Sequence, residues 1–190
     1  MKKLLLILLL SAFTFNLKAQ DTSVENSTFG IQTGFLGVWV HNEVKLSNKI
    51  ALRTEFGLEG QIYKIGRTEN ENSANYILAP VLTLEPRWYY NLNKRATKSK
   101  NTIGNSGNFL SLKTSYYPDW FMISNEEGLL TTNQIFVIPT WGMRRDLGKN
   151  FMFETGLGLG YAHYFTKKIG YQENESGAAI NLHLRIGYRF

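Results

Sequence analysis

The chain contains no cysteine, and this absence excludes a disulfide framework and an anchor through a lipidated cysteine. Beyond residue 19 it has no run of 18 consecutive apolar residues, which excludes a membrane protein built of spanning helices. Apolar residues hardly ever recur at the spacing of an amphipathic helix. Its 190 residues include only 4 prolines but 17 glycines and 14% aromatic residues. The length suits a single domain.

The first twenty residues have the pattern of an export signal. Lys2 and Lys3 precede the apolar stretch 4–15. A short, more polar segment, 16–20, follows it and contains the small residue Ala19. This stretch is too short to span a membrane as a helix, so we predict a cleavable signal over residues 1–19 and a mature domain over 20–190. Cleavage would remove three lysines and no acid, so the net charge would fall from +6 to +3. A balance this close to neutral does not indicate a partner among nucleic acids.

Strict alternation of apolar and polar residues runs through the rest of the chain, as expected for strands with two different faces. The last segment shows it best, with an apolar face that comprises Ala178, Ile180, Leu182, Leu184, Ile186, Tyr188 and Phe190. Five similar segments begin near residues 50, 76, 109, 134 and 151. In residues 28–46 the apolar phase changes from odd to even positions, which predicts two strands joined by a tight turn at Gly34–Gly37.

Eight strands result, and the lengths of their connections alternate. Residues 47–49 and 147–150 are hairpin turns, whereas 66–75, 124–133 and 167–177 are long polar loops. This is the arrangement of an eight-stranded antiparallel up-and-down transmembrane β-barrel, in which short turns face the periplasm and long loops face the exterior. The long, basic connection 93–107 at the turn end is an exception.

One face of each predicted strand carries charged residues, and a charge facing lipid near the middle of a bilayer costs about 2–4 kcal/mol. We therefore assign the charged faces to the interior. This set comprises Glu43, Lys45, Arg53, Glu55, Glu59, Glu85, Arg87, Lys113, Arg144, Glu154 and Arg185. Five acids and six bases nearly balance, and side chains can fill the space inside eight strands. We expect a lumen closed by an ion-pair network, with a narrow channel for small solutes as the alternative.

Aromatic residues cluster at both ends of the predicted strands, which favours two interfacial girdles. The turn-end group is Trp88, Tyr89, Tyr90, Phe109, Phe151, Tyr188 and Phe190, and the loop-end group is Tyr63, Tyr76, Tyr116, Tyr117, Trp120, Tyr164 and Phe165. Pro80, Pro86 and Pro139 lie inside predicted strands, where proline removes a ladder hydrogen bond, so we expect bulges or strand ends there.

The signal, the eight alternating segments and the final "LHLRIGYRF" together resemble the small outer-membrane β-barrels of Gram-negative bacteria, of the OmpA/OmpX-like transmembrane class. "LKAQ", "LEPRWYYNLNKR" and "GNFLSLKTSYYPDW" also resemble segments of uncharacterised barrel proteins of Bacteroidota. The resemblance implies location in the cell outer membrane, contact with its lipids, and recognition by the outer-membrane assembly machinery through Tyr188 and Phe190. We expect no added periplasmic domain, and therefore no peptidoglycan-binding role.

No catalytic or cofactor site emerges from the sequence. His163 faces outward near the loop end. Lipid A deacylases carry serine two residues after such a histidine, but here Phe165 occupies that position. A lipid-modifying enzyme is therefore the least favoured hypothesis. His41 and His183 face inward without the third ligand that a metal site requires. We expect a monomer that is not an enzyme, holds no cofactor or metal, and has a structural, adhesive or envelope-interaction role through its extracellular loops.

The basic connection 93–107 permits one further partner. Lys94, Arg95, Lys98 and Lys100 carry four positive charges within seven residues. They are either a solvated stretch or a contact for anionic inner-leaflet head groups or a periplasmic protein.

Overall fold

A computed structural model describes residues 22–35, 37–63, 75–125 and 131–190. The predicted signal 1–19 lies outside these ranges. The described elements are β1 (Ser27–Gly34), β2 (Gly37–Lys45), β3 (Ile50–Tyr63), β4 (Asn75–Trp88), α1 (Leu92–Ala96), β5 (Asn108–Tyr117), β6 (Ile123–Ser124), β7 (Gln134–Leu147), β8 (Phe151–Tyr164) and β9 (Glu175–Arg189). Two 3-10 turns lie at Ile103–Asn105 and Thr166–Ile169.

Eight of these strands form a closed antiparallel barrel with up-and-down order, which confirms the predicted fold class. β1 to β5 pair in sequence, β5 pairs with β7, and β7, β8 and β9 follow. β9 returns to pair with β1, so the ring has no free edge there. β6 has only two residues and pairs with β4 beyond the end of β5. We call the end with connections 46–49, 89–107 and 148–150 the turn end, and the opposite end the loop end.

The change of apolar phase in residues 28–46 is confirmed as a hairpin. Gly34 pairs directly with Gly37, and the register then runs without a shift to Ser27 and Val44. Ile31 lies opposite Val40, and both side chains are exposed on the outer face. The two strands therefore present one continuous apolar surface although their apolar residues occupy odd and even positions.

Each of the three prolines lies where one strand ladder is interrupted. On either side of Pro86 the pairs Leu84–Thr114 and Arg87–Ser111 belong to one register, and only the intervening pairs are missing. β7 and β8 show the same gap around Pro139. Near Pro80 the partner of β4 changes from β6 to β5. Our expectation of bulges was wrong at Pro86 and Pro139, where the register is the same on both sides. Pro80 lies where the ladder with β5 ends, since Leu82 pairs with Tyr116 but Leu78 pairs with Ile123, which agrees with the alternative of a strand end.

The outer face of the barrel is apolar along all eight strands. Its exposed side chains include Phe29, Val40, Phe56, Leu84, Leu112, Trp141, Leu157, Leu182, Leu184 and Ile186. Soluble monomers rarely expose a contiguous apolar surface this extensive.

None of the helices in the described ranges has the length and hydropathy needed to cross a membrane.

The girdle assignment was wrong for four aromatic residues, because the alternation turns them inward. One of them, Tyr164, packs against Phe136 inside the loop end. Tyr89 and Phe109 are fully buried and pack with Val24, Ala51 and Leu92 at the turn end. Tyr117 is 8% exposed and packs in the lumen. Exposed aromatic side chains at the turn end are Trp88, Tyr90, Phe151, Tyr188 and Phe190, whereas Trp120 is exposed at the loop end. The side chains of Tyr63 and Tyr76 lie outside the described part of the chain.

Candidate functional site

A layer of paired charges fills the middle of the lumen, because the inward positions of six strands supply it. It contains four carboxylates and four guanidiniums, which are Glu43, Glu55, Glu85, Glu154, Arg53, Arg87, Arg144 and Arg185. Each of these residues is at most 5% exposed. The formal charges cancel, as burial requires, because unpaired ions in a low dielectric are strongly destabilised. We call this set the ionic layer.

Glu154 is the central acceptor of the ionic layer. Its two oxygens accept hydrogen bonds from Arg87 Nη1 and Nη2, at 2.9 Å each, and Arg144 Nε donates to Oε2 at 2.8 Å. Arg53 Nη1 lies 3.8 Å from the same oxygen. One carboxylate on β8 thus connects guanidiniums from its neighbour β7 and from β3 and β4, which ties β8 to strands that are not its neighbours in the ring.

Glu55 and Glu43 extend the ionic layer in opposite directions. Glu55 Oε2 accepts hydrogen bonds from Arg53 Nη2 at 2.6 Å and from Arg185 Nη1 at 2.8 Å. Glu43 Oε2 accepts a hydrogen bond from Arg144 Nη2 at 2.9 Å. The chain of contacts therefore runs from Arg185 on β9 to Glu43 on β2, and it crosses the lumen where Arg53 of β3 meets Glu154 of β8.

Three of the charged residues assigned to the interior stand apart from the ionic layer. Within the described residues, Lys45, Glu59 and Lys113 form no ion pair within 4 Å. Lys45 is half-buried at the turn end. Glu59 and Lys113 line a cavity of about 250 Å³ at the loop end, which Ser115, Tyr117 and Asn181 share. The lumen thus contains a cavity on the loop-end side of the ionic layer and is filled by side chains within the layer.

The connection between β4 and β5 closes the turn end of the barrel, and we call residues 89–107 the cap segment. Asn105 Nδ2 donates to Glu43 Oε1 at 2.6 Å, and Tyr89 Oη donates to the same oxygen at 2.8 Å. Burial raises the pKa of Tyr89, so its hydroxyl keeps the proton that it donates. Leu92 of α1 packs against Phe109 in the apolar cluster below the ionic layer.

Sequence reasoning missed this closure. We read 93–107 as an exposed basic turn, yet Gly104, Asn105 and Ser106 are buried. Their burial depends on long-range contacts to Glu43 and Arg144, which no local pattern reveals. The inward phase of Tyr89, which continues the alternation of β4, was the one signal in the sequence that could have indicated it.

The outward-facing His163 meets a serine from the neighbouring strand. Its Nδ1 lies 2.8 Å from Ser176 Oγ, and Tyr161 Oη donates to that oxygen at 2.7 Å. Sequence reasoning looked for this serine at position 165, but the register of β8 and β9 places Ser176 directly opposite His163. In the described part of the chain no carboxylate contacts His163, so the set lacks the acid of a hydrolytic triad.

His41 and His183 both lie inside the barrel, as their phase indicates. His41 is 2% exposed on β2, and His183 Nε2 lies 3.6 Å from Glu154 Oε1. No group of three His, Cys, Asp or Glu side chains among the described residues is arranged to hold a metal ion.

The fold and this interior define a small, closed eight-stranded barrel whose lumen is filled by an ionic layer and capped at one end. Comparison with protein-family models, with curated proteins and with solved structures finds no match.

Proposed function

We propose that this chain is an integral outer-membrane barrel that does not conduct, and that it contacts a surface or envelope partner through its loop end. The observation that carries the proposal is the pairing of an apolar outer face with a charged, filled interior. A bilayer suits a barrel with an apolar exterior and a charged interior. A closed barrel also satisfies all its backbone hydrogen bonds between strands, as the bilayer core requires.

The interior supports a structural role over the alternative of a channel. A solute moving along the axis would have to separate Glu154 from Arg87 and Arg144 and then displace the cap segment from Glu43. Breaking a buried ion pair by removing one partner costs about 3–5 kcal/mol. A passage that requires several such steps does not support steady conduction.

The features of the loop end support a role in binding a surface or envelope partner. The cavity beside Glu59 and Lys113 opens at that end, and three of the four long connections of the barrel, 64–74, 118–133 and 165–174, lie there. Loops held on a rigid scaffold are the usual place for binding residues. A partner would therefore meet polar loops and a shallow polar cavity, rather than an entrance to a pore.

The membrane location is tested by refolding the purified mature chain into phosphatidylcholine vesicles. We expect a β-type circular dichroism spectrum, gel mobility that changes on heating, and protection of the barrel from protease. A chain that folds without lipid or detergent and stays soluble would refute the proposal.

Conduction is tested by recording from the refolded chain in planar bilayers. We expect no steady ohmic steps in the wild type. Steps that appear in the wild type and vanish on substitution of Arg53 or Glu55 would favour the narrow channel instead. A deletion strain scored for envelope permeability and for surface binding then tests the contact role, and we expect binding to fall while permeability stays unchanged.

A further inference from the structure

A basic pocket lies on the outer side of the barrel at the turn end, between the cap segment and the ends of β5 and β7. The cavity has a volume of about 440 Å³, and its walls include Tyr90 and five cations: Lys94, Arg95, Lys98, Lys100 and Arg145. No acidic side chain lines it. The sequence indicates four of these charges, whereas Arg145 joins them only through the fold.

The five positive charges are not neutralised within the described chain. Arg145 donates to Asn108 Oδ1 and to the carbonyl oxygen of Arg144, at 2.6 Å each. Arg95 Nη2 donates to the carbonyl oxygen of Asn101 at 2.8 Å. These acceptors are neutral, and among the described residues no carboxylate lies within 4 Å of any of the five cations. Their mutual repulsion decreases when an anion enters the pocket.

Two of the cations are held in position before any ligand arrives. The contacts of Arg145 and Arg95 use part of each guanidinium and fix its orientation. The remaining N–H groups can donate to a further acceptor, and a guanidinium matches the oxygens of a phosphate with two parallel hydrogen bonds. The flexible lysines supply additional charge around this fixed pair.

An apolar row begins directly beside the pocket on the outer face. Trp88 pairs with Leu110 across β4 and β5, and Leu110 pairs with Trp141 across β5 and β7. Trp141 Nε1 donates to Tyr90 Oη at 2.8 Å, which joins this row to the wall of the pocket. Tryptophan and tyrosine in this arrangement are typical of the boundary between hydrocarbon and head groups.

We infer that this pocket binds the phosphate head group of an anionic phospholipid, whose acyl chains lie along Trp88, Leu110 and Trp141. The inference rests on the proposed membrane location and adds a lipid partner to it. A zwitterionic lipid carries a phosphate as well, but its choline would face the five cations. Basic pockets at the membrane surface select acidic lipids for this reason.

The test uses the folded barrel in a non-ionic maltoside detergent, with bound lipid counted by native mass spectrometry. Dihexanoyl phosphatidylglycerol, dihexanoyl phosphatidylcholine and sn-glycerol 3-phosphate are added separately. We expect phosphatidylglycerol to bind at least tenfold more tightly than phosphatidylcholine, and this preference to weaken as salt is raised. Equal binding of the two lipids would overturn the inference. Glycerol phosphate binding as tightly as phosphatidylglycerol would show a free-phosphate site instead.

Substitution locates the site. Lys94→Gln, Arg95→Gln, Lys98→Gln and Lys100→Gln together should abolish the preference, and Arg145→Gln alone should reduce it severalfold. The matched control is Lys167→Gln with Lys168→Gln at the loop end, which should leave it unchanged. A preference that survives the quadruple substitution, or that is lost in the control, would place the lipid elsewhere.

Insertion of each variant into phosphatidylcholine vesicles is measured in parallel by heat-modifiable mobility. A wild type that inserts without lipid preference would refute this inference alone. A wild type that does not insert would refute the proposed membrane location, and this inference with it.

Discussion

The carboxylate of Glu154 accepts two hydrogen bonds from the guanidinium of Arg87, one on each oxygen and each 2.9 Å long. Glu154→Gln keeps the shape but removes the charge that compensates Arg87, Arg144 and Arg53. Because a buried charge without its partner is strongly destabilising, we expect the free energy of unfolding to fall by about 3–5 kcal/mol. Urea unfolding of the refolded barrel, followed by gel mobility, measures it.

The matched control for this change is Glu175→Gln. Glu175 is exposed on β9, and no ion pair of its side chain is present among the described residues. We expect its substitution to change the free energy of unfolding by less than about 0.5 kcal/mol. If both variants lose the same amount, the ionic layer does not stabilise the barrel as argued.

Leu184 and His183 are neighbours on β9 that face opposite sides of the wall. Leu184 is 64% exposed on the outer face, whereas His183 faces Glu154 in the lumen. Leu184→Arg should reduce the folded yield in vesicles far more than His183→Gln, because a charge on the lipid face costs about 2–4 kcal/mol near the middle of a bilayer. Equal yields would mean that the outer face does not lie in lipid.

Gly142 and Gly177 form a matched pair for the packing of the lumen. A Cβ atom added at Gly142 would meet the ring of Phe109, which is fully buried, whereas nothing lies within 4 Å of the same atom at Gly177. Gly142→Ala should destabilise the barrel by about 1–3 kcal/mol. Gly177→Ala should be neutral or slightly stabilising in a strand. Thermal loss of the fast-migrating folded band ranks the two, and the reverse order would contradict the packing described.

Asn105→Ala should loosen the cap segment without unfolding the barrel. It removes the 2.6 Å hydrogen bond to Glu43 and the acceptor for the backbone N–H of Glu25 at 2.7 Å. We expect faster amide hydrogen exchange at residues 103–106 and unchanged exchange in β8. Lys98→Ala, an exposed change in the same segment, is the control. Unaltered exchange at 103–106 in Asn105→Ala would show that other contacts hold the cap segment.

The part of this molecule that the sequence predicts is the part governed by a period of two. The opposite faces of Leu184 and Arg185, or of Phe153 and Glu154, follow from alternation alone, and closure of eight such strands follows from their number and connections. The same alternation, extended by one residue beyond the end of β4, would have placed Tyr89 inside the barrel. Applied from the start of β5, it would have placed Phe109 inside as well.

Contacts that depend on strand register or on closure of the barrel could not be predicted from the sequence. Ser176 meets His163 only because β8 and β9 pair in one of several registers that their apolar faces allow. Asn105 reaches Glu43 across 62 positions of the chain. Arg145 enters the basic pocket because the cap segment folds back beside β7. Each depends on how two segments are placed against each other, which no local pattern gives.

The pairing of β1 with β9 has a kinetic consequence. It comprises only five residue pairs, from Gly30–Arg189 to Gly34–Arg185, whereas β8 and β9 share fourteen. Its partners are also separated by about 150 positions along the chain. Forming contacts between such distant segments is slow, because the entropy of the intervening chain must be lost first. The ring should therefore close last and reopen first at this seam, and β1 and β9 are where a folding catalyst would hold the unfinished sheet.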